Sequence, residues 1–355
     1  MSTVSMPLAS AYPWARSPLV ASAPMRLIAL APLAVAVSKA GGIGFLAAPT
    51  DACDLKKELD RVAKLRDESP LQGADTQLLP VGVGFINWTI DLDKALGAFK
   101  EHVPAAVWLF APRKNQDLQH WTEGFRRLSA GRTKVWIQVG TVSDALQIAK
   151  ACLPDVLVIQ GSDAGGHGLV HGAGIVSLLP EVSDALHEAG LGNISLVAAG
   201  GIVDGRGAAA CFALGANGVA MGTRFLASEE ANIATGHQDD ILRTSDGGIS
   251  TVRTSVYDIL RGTTGWPVRY NGRGIINRSF VDAQNGRSMV ENKRLYDEAL
   301  GKGDQGWGES GRLTAYAGSG VGLVKKVMSA QNITEEVRHD VIEVFTKHFH
   351  SSAKL

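Results

Sequence analysis

VLVIQGSDAGGHG, residues 156–168, is the most informative segment of this chain. Its apolar run Val156–Ile159 predicts a buried strand, and the glycine-rich run after it predicts a loop at the strand end. Glycines let the backbone approach a ligand closely, and the His167 imidazole can carry a proton near neutral pH. Similar strand ends follow at Ala198–Ile202 and Met221–Arg224. Together they indicate one phosphate-bearing cofactor at one mouth of a barrel.

Short apolar runs alternate with amphipathic segments along the chain. Eight strands are predicted, at 19–23, 43–47, 81–86, 106–110, 134–139, 156–160, 195–199 and 218–221. Seven helices are predicted between them, at 31–39, 51–68, 91–101, 116–129, 143–151, 175–189 and 204–214. Continuous Val, Ile and Leu strands that alternate with helices are typical of a parallel sheet buried on both faces. The pattern favours the α/β class and a (β/α)8 TIM barrel, with ligand-type residues at the C-terminal ends of its strands.

A doubly wound open sheet is the competing architecture. It would place a GxGxxG motif after the first strand, and neither that motif nor GxxxxGK occurs in the chain. We therefore assign residues 1–228 to the main part of the barrel. Residues 229–315 are polar and irregular, and we expect a mostly helical lid or substrate region there. Residues 316–355 are expected to form two closing helices, at 318–329 and 334–349, and a C-terminal tail.

Composition excludes several classes of partner. The formal net charge is zero and no cluster of Lys and Arg dominates, which argues against nucleic acid because binding its phosphates needs a basic surface. The three cysteines have no metal-ligand spacing and fit a reducing compartment, so no metal site is predicted. The apolar run Leu27–Val37 is too short for a membrane span and contains Pro32, so we expect no membrane association.

Two glycine turns predict the phosphate site. Gly200 and Gly201 connect a strand to a helix whose N-terminus presents free N–H groups and the positive end of a dipole. Gly222 and Thr223, at the next strand end, add N–H groups and a hydroxyl. Ordinary packing explains a single Gly-Gly turn equally well. Two such turns on the last two predicted strands favour phosphate, because this is where TIM barrels commonly bind it.

His167 is the candidate for acid–base chemistry. It follows Gly165 and Gly166 at a strand end, close to the predicted phosphate mouth. The alternative is a structural histidine. His171 is a weaker, supporting candidate in the same loop. Asp163, four residues before His167, either orients the imidazole or caps the loop.

Three amides end other predicted strands: Asn87, Gln138 and Gln160. A buried amide without a partner costs about 1–3 kcal/mol, so each needs a hydrogen-bonding partner. A planar heterocycle with several donors and acceptors would satisfy them. The alternative is a network with backbone or water.

Several motifs together resemble the nitronate monooxygenases in order and spacing, over roughly residues 18–230. They are Ser22–Met25, Ala40–Gly44, Gln160–His167, Ala199–Ile202 and Met221–Phe225, with a weaker similarity at Gly318–Leu323. The resemblance implies a TIM barrel that binds FMN. NADH:quinone reductases and a flavin-dependent enoyl-acyl-carrier-protein reductase share the same pattern.

The resemblance also implies roles for individual residues. Ala23 and Met25 would lie by the isoalloxazine, with Asn87 and Gln138 beside the ring system. The ribityl phosphate would be held by Gly165, Gly201, Gly222 and Thr223, and we add the neighbouring Gln160, Gly166 and Gly200 to the predicted cofactor site. His167 matches the family's catalytic base. The chain departs from the family at Asp163, where Glu is usual, and little of residues 240–310 is recognisable.

The implied reaction is oxidation of alkyl nitronates by O2 to a carbonyl compound and nitrite. Propionate 3-nitronate and nitroalkanes are the substrates considered, and His167 would remove the α-proton of a neutral nitroalkane. The alternative is an NAD(P)H-dependent flavin reductase acting on quinones or enoyl thioesters. A third hypothesis, a non-catalytic flavin-binding barrel, is disfavoured by the intact His167.

The chain ends in Ala353-Lys354-Leu355, a one-residue variant of the Ser-Lys-Leu peroxisomal address. In a eukaryote this ending predicts binding to the peroxisomal import receptor and a peroxisomal location; otherwise the cytoplasm is expected. Chance is the alternative explanation of the ending. The oligomeric state stays open, with a homodimer as one option.

Overall fold

Eight parallel strands form a closed barrel in the computed structural model, which describes residues 8–74 and 77–350. The barrel strands are β1 (Val20–Ser22), β2 (Ile43–Ala47), β3 (Leu79–Ile86), β4 (Pro104–Phe110), β5 (Lys134–Val139), β6 (Val156–Gln160), β8 (Ser195–Ala199) and β9 (Gly218–Met221). One further strand, β7 (Gly166–Leu169), lies outside the barrel. Parallel pairing of β1 with β9, Ala21 opposite Ala220, closes the cylinder. The predicted barrel is confirmed.

Seven helices alternate with these strands, as the sequence pattern predicts. They are α1 (Ala31–Lys39), α2 (Ala52–Glu68), α3 (Leu92–Ala98), α4 (Asn115–Ser129), α5 (Val142–Cys152), α6 (Ile175–Glu188) and α7 (Gly205–Ala213). Side-chain caps explain where several of them begin. The Asp51 carboxylate accepts from Cys53 N, and the Thr141 hydroxyl accepts from Asp144 N.

The eighth barrel helix comes from the far end of the described chain. After β9 the chain forms the short helix α8 (Thr223–Leu226), then leaves the barrel, and returns in α14 (Ala330–His350). This last helix packs against α7 and α1 and so completes the ring. Gly205 makes the close approach possible, because a Cβ there would lie 2.2 Å from the Asp340 Cβ.

The interior of the barrel is filled by large aromatic side chains. Phe45, Trp108 and Trp136 are fully buried, and Trp136 donates from Nε1 to the Tyr12 hydroxyl over 2.7 Å. Gly82 makes room for the Phe45 ring, since a Cβ there would lie 2.2 Å from it. Because the barrel interior is packed with side chains, ligand space is left only above them, at the C-terminal mouth of the described chain.

Residues 229–315 cover that mouth, and we call them the lid. Its helices are α9 (Thr235–Arg243), α10 (Gly247–Ser250), α11 (Val256–Arg261), α12 (Arg278–Gln284) and α13 (Met289–Leu300), and its strands are β10 (Thr251–Thr254) and β11 (Tyr270–Ile275). Both strands join β7 in an antiparallel sheet of order β10-β11-β7, in which His167 lies opposite Gly272. The expectation of a mostly helical region missed this sheet, because its short segments are rich in Gly and Arg and lack apolar alternation.

The predicted closing helix at 318–329 is wrong. Only a 3-10 turn, Ser319–Leu323, forms in this segment. Its glycines bring the backbone against the barrel loops, since a Cβ at Gly318 would lie 2.5 Å from the Asp163 carbonyl oxygen. The second predicted closing helix, 334–349, lies within α14.

No helix in the described residues is long and apolar enough to cross a membrane. Cys53, Cys152 and Cys211 are free thiols. The predicted peroxisomal signal, Ala353-Lys354-Leu355, lies outside the described residues.

Candidate active site at the barrel mouth

A cavity of about 1010 Å3 opens at the C-terminal mouth, between the barrel loops and the lid. Almost all of the residues predicted to form the site line this single cavity: Ala23, Met25, Gln138, Gln160, Gly165, Gly166, His167, Gly200, Gly201, Gly222 and Thr223. The two glycine turns therefore lie on the same side of the molecule as the imidazole, as the sequence analysis requires.

Asn87 is the exception among the predicted residues. Its Oδ1 accepts a hydrogen bond from the backbone N–H of Phe110, over 2.8 Å, at the end of β4. The Nδ2 atom is buried and has no partner within the described chain. Because the side chain turns toward β4, the structure does not bring Asn87 to the cavity surface with the other predicted residues.

Three glycine-containing loops meet in direct backbone contact. A Cβ at Gly165 would lie 2.3 Å from the backbone nitrogen of Gly318, and one at Gly320 would lie 2.8 Å from the Gly201 carbonyl oxygen. Gly201 also has φ +76°, which side-chain-bearing residues rarely adopt. The glycines are therefore required by the way these loops pack together as well as by any ligand.

Backbone donors for a phosphate are present in these loops. Within the described chain, no protein acceptor is found for the N–H groups of Gly200, Gly201 and Gly222. Thr223 accepts from Gly318 N through its hydroxyl oxygen, over 3.0 Å, which leaves its O–H free to donate. The loops can thus supply several donors to one anion.

The N-terminus of α7 is not part of this donor set, contrary to the sequence-based prediction. The Asp204 carboxylate accepts from the backbone N–H groups of Arg206 and Gly207, over 3.0 and 3.2 Å. Those helix donors are already satisfied by the cap, so the free donors are in the preceding glycine turn.

The two cavity-lining amides have partners within the protein. Gln138 accepts from Trp108 Nε1 through Oε1, over 2.9 Å, which leaves its own N–H groups available. Gln160 donates from Nε2 to the His167 carbonyl, over 3.2 Å, and so ties the end of β6 to β7. In each amide, one of the two polar atoms, Gln138 Oε1 or Gln160 Nε2, therefore has a hydrogen-bonding partner within the protein.

His167 is paired with a lid carboxylate. Its Nε2 lies 2.9 and 3.0 Å from the two carboxylate oxygens of Asp258 on α11. Both side chains are largely buried, with 13% and 7% of their surfaces exposed. Thr263 and Tyr316 also donate to Asp258 Oδ1, over 2.8 and 3.2 Å. A carboxylate that accepts from Nε2 leaves Nδ1 as the nitrogen able to accept a proton.

The plane of the imidazole is fixed by stacking. The Trp266 indole lies parallel to it, with ring centroids 3.7 Å apart, and Tyr316 meets it edge-on at 5.3 Å. Burial, with the Asp258 charge nearby, raises the pKa of Tyr316, so its hydroxyl stays protonated and donates. His167 is thus held in both direction and plane.

Asp163 does not orient His167. Its carboxylate accepts from the Ser319 hydroxyl over 2.7 Å and so holds the loop, which is the capping alternative in the sequence analysis. His171 is exposed and does not line the cavity.

Sequence reasoning missed Asp258, Trp266 and Tyr316. All three come from the lid or the segment after it, where the chain shows little periodicity. Nothing in the sequence separates Asp258 from the other lid carboxylates. The short spacing from Asp258 to Trp266 within a run rich in Gly and Thr is the one local signal of a structured loop.

Two partly buried guanidinium groups hold the glycine-rich loop from behind. Arg253 donates to the Ala164 carbonyl over 2.9 Å, and both Arg253 and Arg273 donate to the Ser162 carbonyl. Burial, reinforced by the Arg273 charge, lowers the pKa of Arg253 to about 10, so both side chains remain cationic at neutral pH. Their charge lies behind the loop that carries Gly165 and Gly166, where it favours an anion.

Comparisons with known proteins agree with this geometry. The family model described as nitronate monooxygenase matches residues 101–340, more than half of the chain. The nitronate monooxygenase NpaC of Metarhizium robertsii is 52% identical over 96% of this chain and 95% of its own length. A nitronate monooxygenase of Neurospora crassa is 39% identical over 96% of this chain and 93% of its own.

Solved structures show the same fold. FabK from Thermotoga maritima superposes with a TM-score of 0.70 at 26% identity, over 92% of this chain and 94% of its own. The nitroalkane oxidase of Streptomyces ansochromogenes gives a TM-score of 0.69 at 24% identity, over 92% and 96%. With the family model and the two fungal relatives, these findings show that the chain belongs to the nitronate monooxygenases, a family of oxidoreductases.

Proposed function

We propose that this enzyme uses FMN and O2 to oxidise alkyl nitronates to a carbonyl compound and nitrite, and that it also accepts neutral nitroalkanes. The observation that carries the proposal is the buried His167–Asp258 pair at the rim of a cavity that also contains the glycine loops. Membership of the family supports the reaction class.

The cavity residues fit FMN. A space of about 1010 Å3 is at the upper end of the range for small-molecule sites and is large enough for a cofactor of this size with a substrate. The free N–H groups of Gly200, Gly201 and Gly222 would hold the phosphate, with the Thr223 hydroxyl. Ala23, Met25 and Gln138 would lie beside the ring. When bound, the flavin supplies the electron acceptor and the site of reaction with O2.

His167 would act as the general base for neutral nitroalkanes. The Asp258 carboxylate keeps a hydrogen on Nε2, and Nδ1 has no partner within the described residues, so Nδ1 would accept the α-proton. Trp266 covers one face of the imidazole and so shields it from water. A preformed nitronate has already lost this proton and would not need the base.

The test begins with the absorption spectrum of the purified protein, which should show a bound flavin. Oxygen uptake is then measured with propionate 3-nitronate, with a neutral nitroalkane and with NADH. His167→Asn should keep the flavin and nitronate oxidation, yet lose about 10²–10⁴-fold in turnover of the neutral nitroalkane. Equal activity of variant and parent on the nitroalkane would refute the base assignment.

The similarity to FabK favours one second candidate, an NAD(P)H-dependent flavin reductase. Rapid anaerobic bleaching of the flavin by NADH, together with no oxygen uptake on nitronates, would support this alternative and overturn the proposed reaction.

We also propose peroxisomal import through Ala353-Lys354-Leu355. The fungal source of two relatives supports a eukaryotic context. A fluorescent protein fused to the N-terminus of this chain should enter peroxisomes in a fungal cell, and removal of the last three residues should leave it in the cytosol. Import of the shortened chain would contradict the proposal.

A further inference from the structure

The lid presents to the cavity a cation that the proposed reaction does not use. Arg261 is the last residue of α11, the same short helix that carries Asp258. Its side chain is exposed and lines the cavity. The guanidinium carbon lies 5.3 Å from the centroid of the Tyr316 ring, and that ring lies 5.3 Å from the His167 ring. Tyr316 therefore contacts both the imidazole and the cation.

No carboxylate of residues 8–74 or 77–350 lies within ion-pair distance of Arg261. Asp258, its neighbour on α11, is already engaged by His167, Thr263 and Tyr316. Asp297, another acid of this part of the lid, is paired with Lys293 over 2.5 Å. The charge of Arg261 thus remains available to an anion inside the cavity.

The lid walls around this cation are mainly apolar. They include Ile233, Leu260, Leu300, Trp307 and Leu313. Other ionisable lid side chains at the cavity are His237, whose pKa burial, with the Arg261 charge, lowers to about 4, and the paired Lys293 and Asp297. Because the His237 imidazole is neutral at physiological pH and the Lys293 charge is balanced by Asp297, Arg261 is the cation of this part of the lid that is left for an anion.

The cavity is also large enough to hold a substrate longer than a small nitroalkane. A nitronate of two or three carbons would fill little of the space beside a cofactor in a cavity of about 1010 Å3. A substrate that extends from His167 past Tyr316 would lay its apolar part on the lid walls and its far end near Arg261. An anionic far end would then gain a charge-assisted hydrogen bond.

We propose that Arg261 is a specificity-determining residue that binds an anionic group, of the carboxylate type, carried by the substrate in addition to its nitro or nitronate group. The inference rests on the proposed function for the nitro or nitronate group that reacts. Arg261 and the apolar lid residues support the second contact, in which the anionic group of the substrate is bound.

The experiment compares two nitronates of equal chain length, one ending in a methyl group and one in a carboxylate. In Arg261→Gln, kcat/KM should fall by about tenfold to a hundredfold for the carboxylated substrate and stay near that of the parent for the other. Arg261→Lys keeps the charge and should restore part of the loss. Arg113→Gln removes a different cavity cation, which lies over Trp88, and is the matched control. It should change kcat/KM equally for the two nitronates.

Binding without turnover separates this proposal from the proposed reaction. Pentanoate is titrated against the flavin-loaded parent and Arg261→Gln proteins, and tryptophan fluorescence reports the dissociation constant. Weaker binding to the variant supports the anion site even if nitronates are not oxidised. Equal binding to both proteins, or equal losses on both nitronates, would overturn it.

Discussion

At the scale of single residues, the main feature of the site is the pairing of a barrel-loop histidine with a lid aspartate. Asp258 accepts from His167, Thr263 and Tyr316, so its lone pairs are satisfied although it is only 5% exposed. A buried carboxylate is tolerated when it is hydrogen-bonded in this way. The arrangement fixes one tautomer of His167 and leaves the other nitrogen available to the cavity.

Asp258→Asn tests this positioning role. The amide can donate to Nε2 and so favour the wrong tautomer of His167, and we expect kcat on a neutral nitroalkane to fall by about 10- to 100-fold. Oxidation of a preformed nitronate should change little, and the flavin spectrum should be retained. Thr263→Val removes a single donor to Asp258 and should give a smaller loss. Equal losses on both substrates would indicate a structural role only.

The sequence identifies His167 but not the residue that orients it. His167 follows a clear strand and two glycines, so its place at the mouth is predictable from local pattern. Asp258 is 91 positions further along the chain and reaches His167 only through lid folding. The nearer candidate, Asp163, is four positions away, yet its carboxylate is taken by Ser319. Proximity in sequence was therefore misleading here.

At the scale of elements, the glycine loops are determined by their contacts with one another. The loop after β6 packs on the 3-10 segment near residue 318, and both pack on the turn after β8. Arg253 holds the first loop from the other side through the carbonyls of Ser162 and Ala164. These contacts leave little freedom to the loop that carries Gly165 and His167.

Two neighbouring glycines make a matched pair of variants. In Gly165→Ala the new Cβ would lie 2.3 Å from Gly318 N, so the backbone must shift, and we expect about 1–3 kcal/mol of lost stability and weaker flavin binding. In Gly166→Ala the Cβ meets nothing within 4 Å, and the φ of +66° alone costs about 1 kcal/mol. Urea unfolding and flavin titration measure both. A larger loss in Gly166→Ala would contradict the contact argument.

The barrel elements are predictable because each strand is a compact apolar run and each helix has an amphipathic pattern. The lid sheet is not, because β7, β10 and β11 are short and contain Gly and Arg in place of alternating apolar residues. Arg253 and Arg273 face the loop carbonyls from this sheet. Their role depends on strand pairing between distant segments, which local periodicity does not reveal.

At the scale of the whole molecule, the alternation of barrel strands and helices extends as far as β9, with β7 inserted after β6, and the lid is inserted before the eighth helix. The hydrophobic pattern of the sequence predicts the strands and helices of the barrel up to β9 well. The closing helix α14 is predictable as a helix, but its place against α7 and α1 depends on the chain returning from the lid.

The partly buried His237 makes the free energy of unfolding depend on pH. Its pKa is lowered from 6.5 to about 4 in the folded protein, so the unfolded chain binds the proton more readily. The free energy of unfolding should therefore be unaffected by this group above pH 6.5. It should fall by up to about 3 kcal/mol between pH 6.5 and 4, and this group contributes no further slope below pH 4.

Denaturant unfolding at several pH values measures this slope, with His237→Gln as the control. The variant should lose less stability than the parent over the same interval. Identical slopes in the two proteins would show that His237 is not buried in the neutral form.

The pairing of β7 with β11 has a consequence for exchanging parts between related proteins. The strand that bears His167, the proposed base, is completed by hydrogen bonds from a segment about a hundred positions later. A hybrid that takes its lid from one homologue and its barrel from another would thus combine β7 and β11 strands that did not evolve together, directly beside His167. When parts of two family members are combined, residues 161–169 and 250–276 should therefore be transplanted as a single unit, rather than by cutting the chain near 228.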